Sequence, residues 1–314
     1  MMRTSFTLKG VTFKNRVLVA SGTFGYGDEV SDLVDAKRLG GIVTKSLSLK
    51  PRDGNPPRRI VETDAGMLNS IGLANIGVEA FVRDKLPLLR KMKTAVVANI
   101  AASSIDEYCR VLERIEGEEG VHGYEINVSC PNVKEGGLSF GTNRSAVSEI
   151  TRRLRVLTGK LLIIKLTPNV THIAEFAKAV EGEGADAVSV INTFVGMAID
   201  AQSRKPKLST VTGGLSGPAI KPLALAKVYE SANAVSIPVF GMGGIRSGED
   251  AIEFLLAGAT AVQVGTANFV HPAAAIDVAE GMEKFGRDHG VTDLGELVGA
   301  LEVDRSTSVI DSWQ

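Results

Sequence analysis

The stretch Leu161-Leu162-Ile163-Ile164-Lys165-Leu166 is an apolar run broken by one lysine. Continuous apolar runs without alternating polar residues are typical of strands buried on both faces of a parallel sheet. Similar short runs recur along the chain. Together they predict eight strands, at residues 16–20, 41–44, 95–99, 124–128, 161–166, 187–191, 238–240 and 261–264.

Helical patterns alternate with these strands, and they predict helices at residues 28–39, 78–92, 105–115, 145–157, 173–181, 219–232, 247–257 and 272–285. Ser247-Gly248-Glu249-Asp250 resembles a capping box at the start of one of them. Eight βα units in 314 residues favour an α/β fold, the TIM (β/α)8 barrel, as a single domain over residues 1–314. A doubly wound sheet is the alternative, because a pattern alone does not prove closure.

The predicted barrel carries additions. Residues 6–14 predict an N-terminal hairpin that turns at Lys9-Gly10. Long βα loops are expected at residues 51–76 and 131–143, and residues 193–217 have room for another hairpin. Loops of this length in a compact domain are usually functional or mobile.

Composition narrows the class of protein. Charged residues make up 23% of the chain, hydrophobic residues 44%, and the net charge is −1, which indicates a soluble globular protein with no electrostatic footprint for nucleic acid. No apolar run approaches the roughly 18 residues of a membrane span, and we expect a cytoplasmic protein without membrane contact. The histidines lack metal-ligand spacing, so no metal site is predicted; they are His122, His172, His271 and His289.

Polar residues follow or interrupt the predicted strands at their carboxyl ends, where a barrel of this kind places its site. Together with the strand-end glycines, the residues in chain order are Ser21, Lys45, Ser46, Asn99, Asn127, Cys130, Lys165, Asn192, Thr193, Gly243, Gly244, Gly265 and Thr266. Ser21 alone is equally well explained as a local cap. Lys165 is more informative, since a lysine in an apolar strand is costly to bury without an anionic partner or ligand. The set predicts a site for a planar polar ligand.

Two further features bear on this site. Glu125 shares a strand face with Asn127, and we interpret it as a structural polar contact in the barrel interior. Gly241-Met242-Gly243-Gly244-Ile245, together with Gly265-Thr266, predicts a phosphate cradle, because glycine lets the backbone approach an anion closely. Gly22-Thr23-Phe24-Gly25-Tyr26-Gly27 has its glycines in the wrong order for a dinucleotide fingerprint.

Several motifs then carry a resemblance that covers nearly the whole chain. They are Val43-Thr44-Lys45-Ser46, Asn69-Ser70-Ile71-Gly72-Leu73, Asn127-Val128-Ser129-Cys130-Pro131-Asn132, Ile191-Asn192-Thr193 and the Gly-Met-Gly-Gly loop. With them the chain resembles the class 1 dihydroorotate dehydrogenases, which are FMN-containing barrels of pyrimidine synthesis. The segment Gly136-Gly137-Leu138-Ser139-Phe140-Gly141 is most similar to the class 1B catalytic subunit. Cys130 stands where class 2 enzymes carry a serine as base, and we expect no N-terminal membrane-associating helix like theirs.

The resemblance implies two sets of binding residues. The FMN contacts would be Ser21, Lys45, Ser46, Asn99, Asn127, Lys165, Ile191, Gly217, Gly243, Gly244, Gly265 and Thr266. The substrate contacts would be Lys45, Asn69, Ser70, Ile71, Gly72, Leu73, Asn127, Asn192 and Thr193.

The resemblance also implies the chemistry, the oxidation of dihydroorotate to orotate in UMP biosynthesis. Cys130 would take the C5 proton, and FMN would take the C6 hydride. Pro131 and the glycines after it predict that Cys130 lies on a movable lid. Cys109 is interpreted as core packing instead. The chain has two cysteines, whereas an iron–sulfur cluster usually takes about four thiolates. Transfer of electrons to NAD would therefore need partners, expected as a homodimer core with two FAD- and iron–sulfur-bearing subunits.

Other functions stay open at this stage. One is fumarate-linked class 1A activity, and another is a dihydropyrimidine dehydrogenase-like enzyme, whose substrate lacks the carboxylate that Lys45 would bind. A different class is a Schiff-base aldolase with Lys165 as the nucleophile. A non-catalytic ligand-binding barrel would leave Cys130 and the strand-end lysines unexplained.

Overall fold

A closed barrel of eight parallel strands forms the centre of the protein, whose computed structural model describes residues 2–128 and 140–304. The described strands are β1 Phe6–Leu8, β2 Val11–Phe13, β3 Val17–Val19, β4 Gly41–Val43, β5 Ile60–Thr63, β6 Gly66–Asn69, β7 Ala95–Ile100, β8 Gly123–Asn127, β9 Leu161–Lys165, β10 Ala187–Val190, β11 Phe194–Met197, β12 Ile199–Asp200, β13 Lys205–Pro206, β14 Thr212–Ser216, β15 Val239–Met242 and β16 Ala259–Val264.

The barrel strands pair in chain order, and the last closes on the first. Around the barrel the order is β3, β4, β7, β8, β9, β10, β15 and β16. Strand β16 then pairs in parallel with β3, through Gln263 opposite Leu18 and Val264 opposite Val19. All eight predicted strands and the TIM-barrel fold are thereby confirmed. Closure excludes the doubly wound sheet.

Helices surround the barrel, and most lie close to their predicted positions. They are α1 Gly77–Ala80, α2 Leu86–Lys91, α3 Ile105–Glu116, α4 Arg144–Leu157, α5 Ile173–Gly182, α6 Lys221–Ala232, α7 Gly248–Leu256, α8 Ala267–Val270 and α9 Ala274–Asp288. The capping box is present at the start of α7, where the Ser247 hydroxyl accepts from the Asp250 N–H and the Asp250 carboxylate accepts from the Ser247 N–H.

Two helix predictions need correction. Residues 28–39 do not form one helix but two 3-10 turns, Asp28–Val30 and Ala36–Arg38. Side chains compete for the backbone there, since the Asp35 carboxylate accepts from the Lys37 N–H. Residues 78–92 are helical, but a π-helical turn at Phe81–Lys85 separates α1 from α2. Pro87 lies just after that turn and has no N–H to donate to the preceding turn.

The barrel interior is apolar toward its amino end. Val11, Phe13, Leu18, Phe240 and their neighbours form a buried cluster there. The predicted hairpin, β1 paired antiparallel with β2, packs Phe6 and Leu8 against this cluster. A larger apolar layer lies between the strands and the outer helices. The hairpin therefore seals one end of the barrel.

Beyond the carboxyl ends of the strands, two long loops combine into a second sheet. Its order is β11, β14, β6, β5, and all neighbours are antiparallel. The hairpin expected within residues 193–217 is present as β11 with β14, and it carries a smaller one, β12 with β13. None of the helices in the described part of the chain is long and apolar enough to cross a membrane.

Candidate active site

A cavity of about 1200 Å³ opens at the carboxyl ends of the barrel strands. Its walls come from barrel strand ends on one side and from β6 and β14 of the second sheet on the other. It brings together the predicted residues Ser21, Lys45, Ser46, Asn127, Lys165, Ile191, Asn192, Thr193, Gly217, Gly243, Gly244, Gly265 and Thr266, and the complete loop Asn69, Ser70, Ile71, Gly72 and Leu73. Residues scattered over most of the sequence therefore share one cavity.

Among the predicted site residues that the structure describes, Asn99 does not line this cavity. Asn99 is fully buried behind Ser46, whose hydroxyl donates to the Asn99 Oδ1 at 2.6 Å. Cys130 lies outside the described residues, as do Pro131 and the segment Gly136–Ser139. The direct contact of Asn99 with a cofactor and the role of Cys130 stay predictions.

The barrel interior beneath the cavity holds an ion pair. Lys165 at the end of β9 is 5% exposed, and its Nζ lies 3.7 Å from Oε1 of Glu125 on β8. Glu125 also accepts hydrogen bonds from Asn99, Ser189 and Gln263, each at 2.7 Å. This is the interior polar contact expected of Glu125, and it supplies the anionic partner that a buried lysine requires.

Ser189 and Gln263 were not singled out from the sequence, although Gln263 lines the cavity. The sequence feature that could have identified them is the one that identified Lys165, a polar residue within an otherwise apolar strand. That signal does not distinguish a side chain pointing into the barrel from one pointing outward, so it could not assign either residue to the site.

Carboxamides on separate segments converge on the cavity. The Asn192 Nδ2 donates to the Asn127 Oδ1 at 3.3 Å, and the Asn192 Oδ1 accepts from the Thr193 N–H. The Asn69 Nδ2 donates to the Gly214 carbonyl at 3.4 Å, which joins β6 to β14. Such amides present both donors and acceptors, so they suit a ring ligand that carries both kinds of group along its edge.

The loop that begins at Asn69 is held in shape by Asn55. The Asn55 Nδ2 donates to the Ser70 carbonyl at 2.8 Å, and the Asn55 N–H donates to the Ile71 carbonyl at 3.0 Å. Ser70 is buried, and its hydroxyl has no hydrogen-bond partner within the described ranges. Buried polar groups are normally paired, so this hydroxyl is suited to a ligand.

Lys45 supplies a cation at the cavity wall. Burial lowers the pKa of Lys45 below its ordinary value of 10.5, the nearby Arg59 guanidinium lowers that pKa further, and Glu29 opposes both effects. Two cations near a half-buried wall favour an anionic ligand there.

At the predicted phosphate cradle, glycines allow neighbouring backbone segments to pack closely. Gly243 and Gly244 follow β15 with φ angles of 130° and 79°. A Cβ on Gly244 would lie 2.8 Å from the Lys221 Cβ and 3.0 Å from the Gly217 carbonyl oxygen. Gly265 has more room, since its nearest neighbour to a Cβ would be at 3.4 Å. The Thr266 hydroxyl donates to the Ser216 hydroxyl at 2.8 Å, which links the loop after β16 to β14.

Fold and cavity together define a (β/α)8-barrel enzyme whose site is lined by lysines and carboxamides and has a backbone cradle suited to phosphate. Within the described residues, no group of three or more His, Cys, Asp or Glu side chains could hold a metal ion.

Comparisons with known proteins agree with this class. The family model for dihydroorotate dehydrogenase matches residues 3–285. A Trichlorobacter lovleyi protein named dihydroorotate dehydrogenase B (NAD(+)), catalytic subunit, is 54% identical over 298 residues, or 95% of this chain and 98% of that protein. A Geotalea uraniireducens protein of the same name is 52% identical over 297 residues, or 95% of this chain and 97% of that protein. The chain belongs to the dihydroorotate dehydrogenase family.

The fold is shared with a more distant solved structure. The Eimeria tenella dihydroorotate dehydrogenase in complex with ferulenol superposes with a TM-score of 0.81 at 22% sequence identity. The match covers 95% of this chain and 88% of that chain. At this identity the likeness bears on the fold alone.

Proposed function

We propose that this chain is the catalytic subunit of an NAD-linked dihydroorotate dehydrogenase, which oxidises dihydroorotate to orotate in the biosynthesis of UMP. The observation that carries the proposal is the single cavity that unites Lys45 with the carboxamides of Asn69, Asn127 and Asn192. The names of relatives that are more than half identical support it. We further propose that residues 1–314 act as one cytoplasmic domain.

The residues of the cavity fit FMN as the cofactor. The crowded backbone at Gly243 and Gly244 would hold the phosphate, with Gly217, Gly265 and Thr266 beside it. At the other end, Ser21, Ser46, Asn127, Lys165 and Ile191 line the cavity and would surround the ring, and the Gln263 Oε1 is buried there without a partner within the described ranges. Asn99 would act through Ser46. When bound, FMN supplies the acceptor for the hydride that leaves C6 of the substrate.

The protein's own residues would hold the substrate. Dihydroorotate carries a carboxylate and a cyclic ureide. Lys45 would bind the carboxylate, and Asn69, Asn127, Asn192 and Thr193 would pair with the ureide edge. The Ser70 hydroxyl has no partner among the described residues, and Ile71, Gly72 and Leu73 would complete the wall.

Cys130 would remove the C5 proton. It follows three residues after Asn127, which ends β8 at the cavity. A thiolate is a competent base, and nearby cations favour the thiolate over the thiol. The proton leaves C5 for sulfur while the substrate is fixed by the lysine and the amides, so its geometry is set before the hydride departs.

Electrons would leave through other chains. With two cysteines, this chain does not supply the roughly four thiolates of an iron–sulfur cluster. The relatives are named catalytic subunits of NAD(+)-linked enzymes, which implies a further subunit. We infer a homodimeric core joined by two subunits that carry FAD and an iron–sulfur cluster.

The alternative functions are less well supported. An aldolase needs a Lys165 amine that is free to attack its substrate, whereas the Lys165 Nζ lies 3.7 Å from the buried Glu125 carboxylate. A dihydropyrimidine dehydrogenase-like enzyme would have no substrate carboxylate for Lys45. Fumarate-linked class 1A activity would need no partner subunit, in contrast to the names of the relatives.

The test is anaerobic mixing of the purified yellow protein with dihydroorotate and, as a matched control, with dihydrouracil, which lacks the carboxylate. We expect dihydroorotate to bleach the flavin absorbance rapidly and dihydrouracil to leave it unchanged. Rapid bleaching by dihydrouracil alone, or a colourless protein that does not bind added FMN, would contradict the proposal. Turnover with NAD only after the partner subunit is added, and none with fumarate, would identify the electron outlet.

A further inference from the structure

The barrel interior beneath the cavity contains a carboxylate, Glu125, that forms hydrogen bonds or an ion pair with side chains on four other barrel strands. Glu125 is 0% exposed, and both its oxygens accept hydrogen bonds. The donors come from three other barrel strands, Asn99 on β7, Ser189 on β10 and Gln263 on β16. Donors at both oxygens are the pattern of an ionised carboxylate, and the Lys165 ammonium on β9 lies 3.7 Å away.

Stability alone does not account for this charge. Removing a carboxylate from water is costly, and a well-packed apolar set in place of a buried ion pair is often neutral or stabilising. The remainder of the barrel interior, toward the amino end, is filled with apolar side chains. Apolar side chains could therefore fill this part of the barrel as well, and burial alone does not explain the carboxylate.

Glu125 controls groups that face the cavity. Lys165 and Gln263 both line it, and Asn99 supports Ser46, which also lines it. The Gln263 Nε2 is engaged by the Glu125 Oε2 at 2.7 Å and by the Ser189 hydroxyl at 3.1 Å. This sets the orientation of the amide, so the Gln263 Oε1 is left as a buried acceptor without a partner among the described residues.

We propose that Glu125 is a positioning residue for the flavin ring, an inference that rests on the proposed FMN function. Its carboxylate holds the Lys165 ammonium in place and fixes the orientation of the Gln263 amide at the base of the cavity. It also offsets the charge of Lys165, which limits how strongly that lysine favours the reduced flavin. Glu125 thereby sets the reduction potential without contacting the reacting atoms.

The test compares the reduction potential of bound FMN in Glu125→Gln, Lys165→Met and Ser189→Ala. Two-electron reduction adds negative charge to a flavin, so an uncompensated Lys165 should stabilise the reduced form. For Glu125→Gln we expect the ratio of reduced to oxidised flavin at a fixed solution potential to rise at least tenfold, which is about 30 mV for a two-electron couple. Lys165→Met should shift the ratio in the opposite direction.

Ser189→Ala is the matched control, because it removes a hydrogen bond from the same carboxylate without changing charge. We expect it to lower the melting temperature while changing the flavin ratio less than threefold. If Ser189→Ala and Glu125→Gln change the flavin ratio equally, packing rather than charge is responsible and the proposal is overturned. Changes of the same sign in Glu125→Gln and Lys165→Met would overturn it as well.

If Glu125→Gln does not fold, the double variant Glu125→Gln/Lys165→Met removes both charges and serves instead. We expect it to hold FMN with a ratio within threefold of the unaltered protein, unlike Lys165→Met alone. If the flavin ratio of the double variant shifts as far as that of Lys165→Met, or if the double variant also fails to fold, the role of Glu125 is structural and the proposal is wrong. A wild-type protein that binds no FMN would instead overturn the proposed function itself, so the two failures are distinguishable.

Discussion

The two ends of the barrel are built from opposite kinds of side chain. At the amino end the β1–β2 hairpin stacks Phe6 on Phe13 with ring centroids 4.6 Å apart, and Phe240 packs against Phe13 at 6.0 Å. At the carboxyl end lie lysines, carboxamides and crowded glycines around a cavity of about 1200 Å³. The same strands run through both ends.

The amino end of the barrel contributes stability, and the carboxyl end contributes the groups that bind ligands. Apolar contacts at the amino end stabilise the fold whether or not a ligand is bound. The polar groups at the carboxyl end include buried atoms without partners, such as the Ser70 hydroxyl among the described residues. Such groups are unfavourable for folding and favourable for binding. Substitutions at the two ends should therefore change different measured quantities.

The largest effect is expected at the carboxyl end. Cys130→Ala should slow flavin reduction by dihydroorotate about 10²–10⁴-fold, the usual contribution of a general base, with FMN content and melting temperature unchanged. Stopped-flow absorbance measures the rate.

Its control is Cys109→Ala, since Cys109 is buried on α3 and burial raises the pKa of its thiol. That change should cost about 1 kcal/mol of stability and leave the rate unaltered. Native flavin reduction in Cys130→Ala would refute the assignment of the base.

The next effect is expected at the amino end. Phe13→Ala removes a fully buried ring and should lower the free energy of unfolding by about 3–5 kcal/mol. Urea denaturation measures it, and Phe13→Leu should lose less. The folded fraction should keep its native rate per bound FMN. A change in that rate would show that the two ends are coupled.

A matched pair of glycines gives a third test. Gly10 in the hairpin turn and Gly244 in the cradle have nearly the same φ, 77° and 79°. Alanine at either position should cost about 1–2 kcal/mol through the left-handed backbone. A Cβ at Gly10 meets nothing within 4 Å, whereas one at Gly244 meets Lys221 at 2.8 Å.

Only Gly244→Ala should therefore weaken FMN binding, by about tenfold or more, which is about 1.4 kcal/mol. Titration of apo-protein with FMN, followed by flavin fluorescence, measures the affinity. Equal FMN affinity in the two variants would argue against a phosphate cradle at Gly244.

The smallest effect concerns pH. The lowered pKa of Lys45 means that its ammonium is lost at a lower pH than in an ordinary lysine. The KM for dihydroorotate should therefore rise by about fivefold as pH increases through that lowered pKa, because a charge-assisted contact exceeds a neutral one by about 1 kcal/mol. Folding stability should increase over the same interval, since the unfolded chain binds this proton more tightly.

The comparison variant is Lys45→Arg, whose guanidinium stays charged. Its KM should remain constant over the interval in which the KM of the unaltered protein rises. If both proteins give the same pH profile, the carboxylate is bound by another group.

The barrel was predictable from the sequence because each of its strands is marked by a short apolar run of consecutive residues. The run at residues 161–166 is strand-like on its own, and β9 is found there as Leu161–Lys165. The helix predicted at residues 28–39 was wrong because hydrogen bonds such as Asp35 with Lys37 favour short turns over apolar periodicity. The second sheet lay beyond prediction, since Asn69 meets Gly214 across 145 residues.

The sequence by itself determined which side chains lie at the carboxyl rim, because parallel strands all end on the same side of a barrel. The rim residues Lys45, Asn127, Lys165 and Asn192 were assigned in this way. The tertiary structure alone decided which of the buried polar groups meet. Closure brings β7, β9, β10 and β16 around Glu125, and no local pattern encodes the distances between strands far apart in the chain.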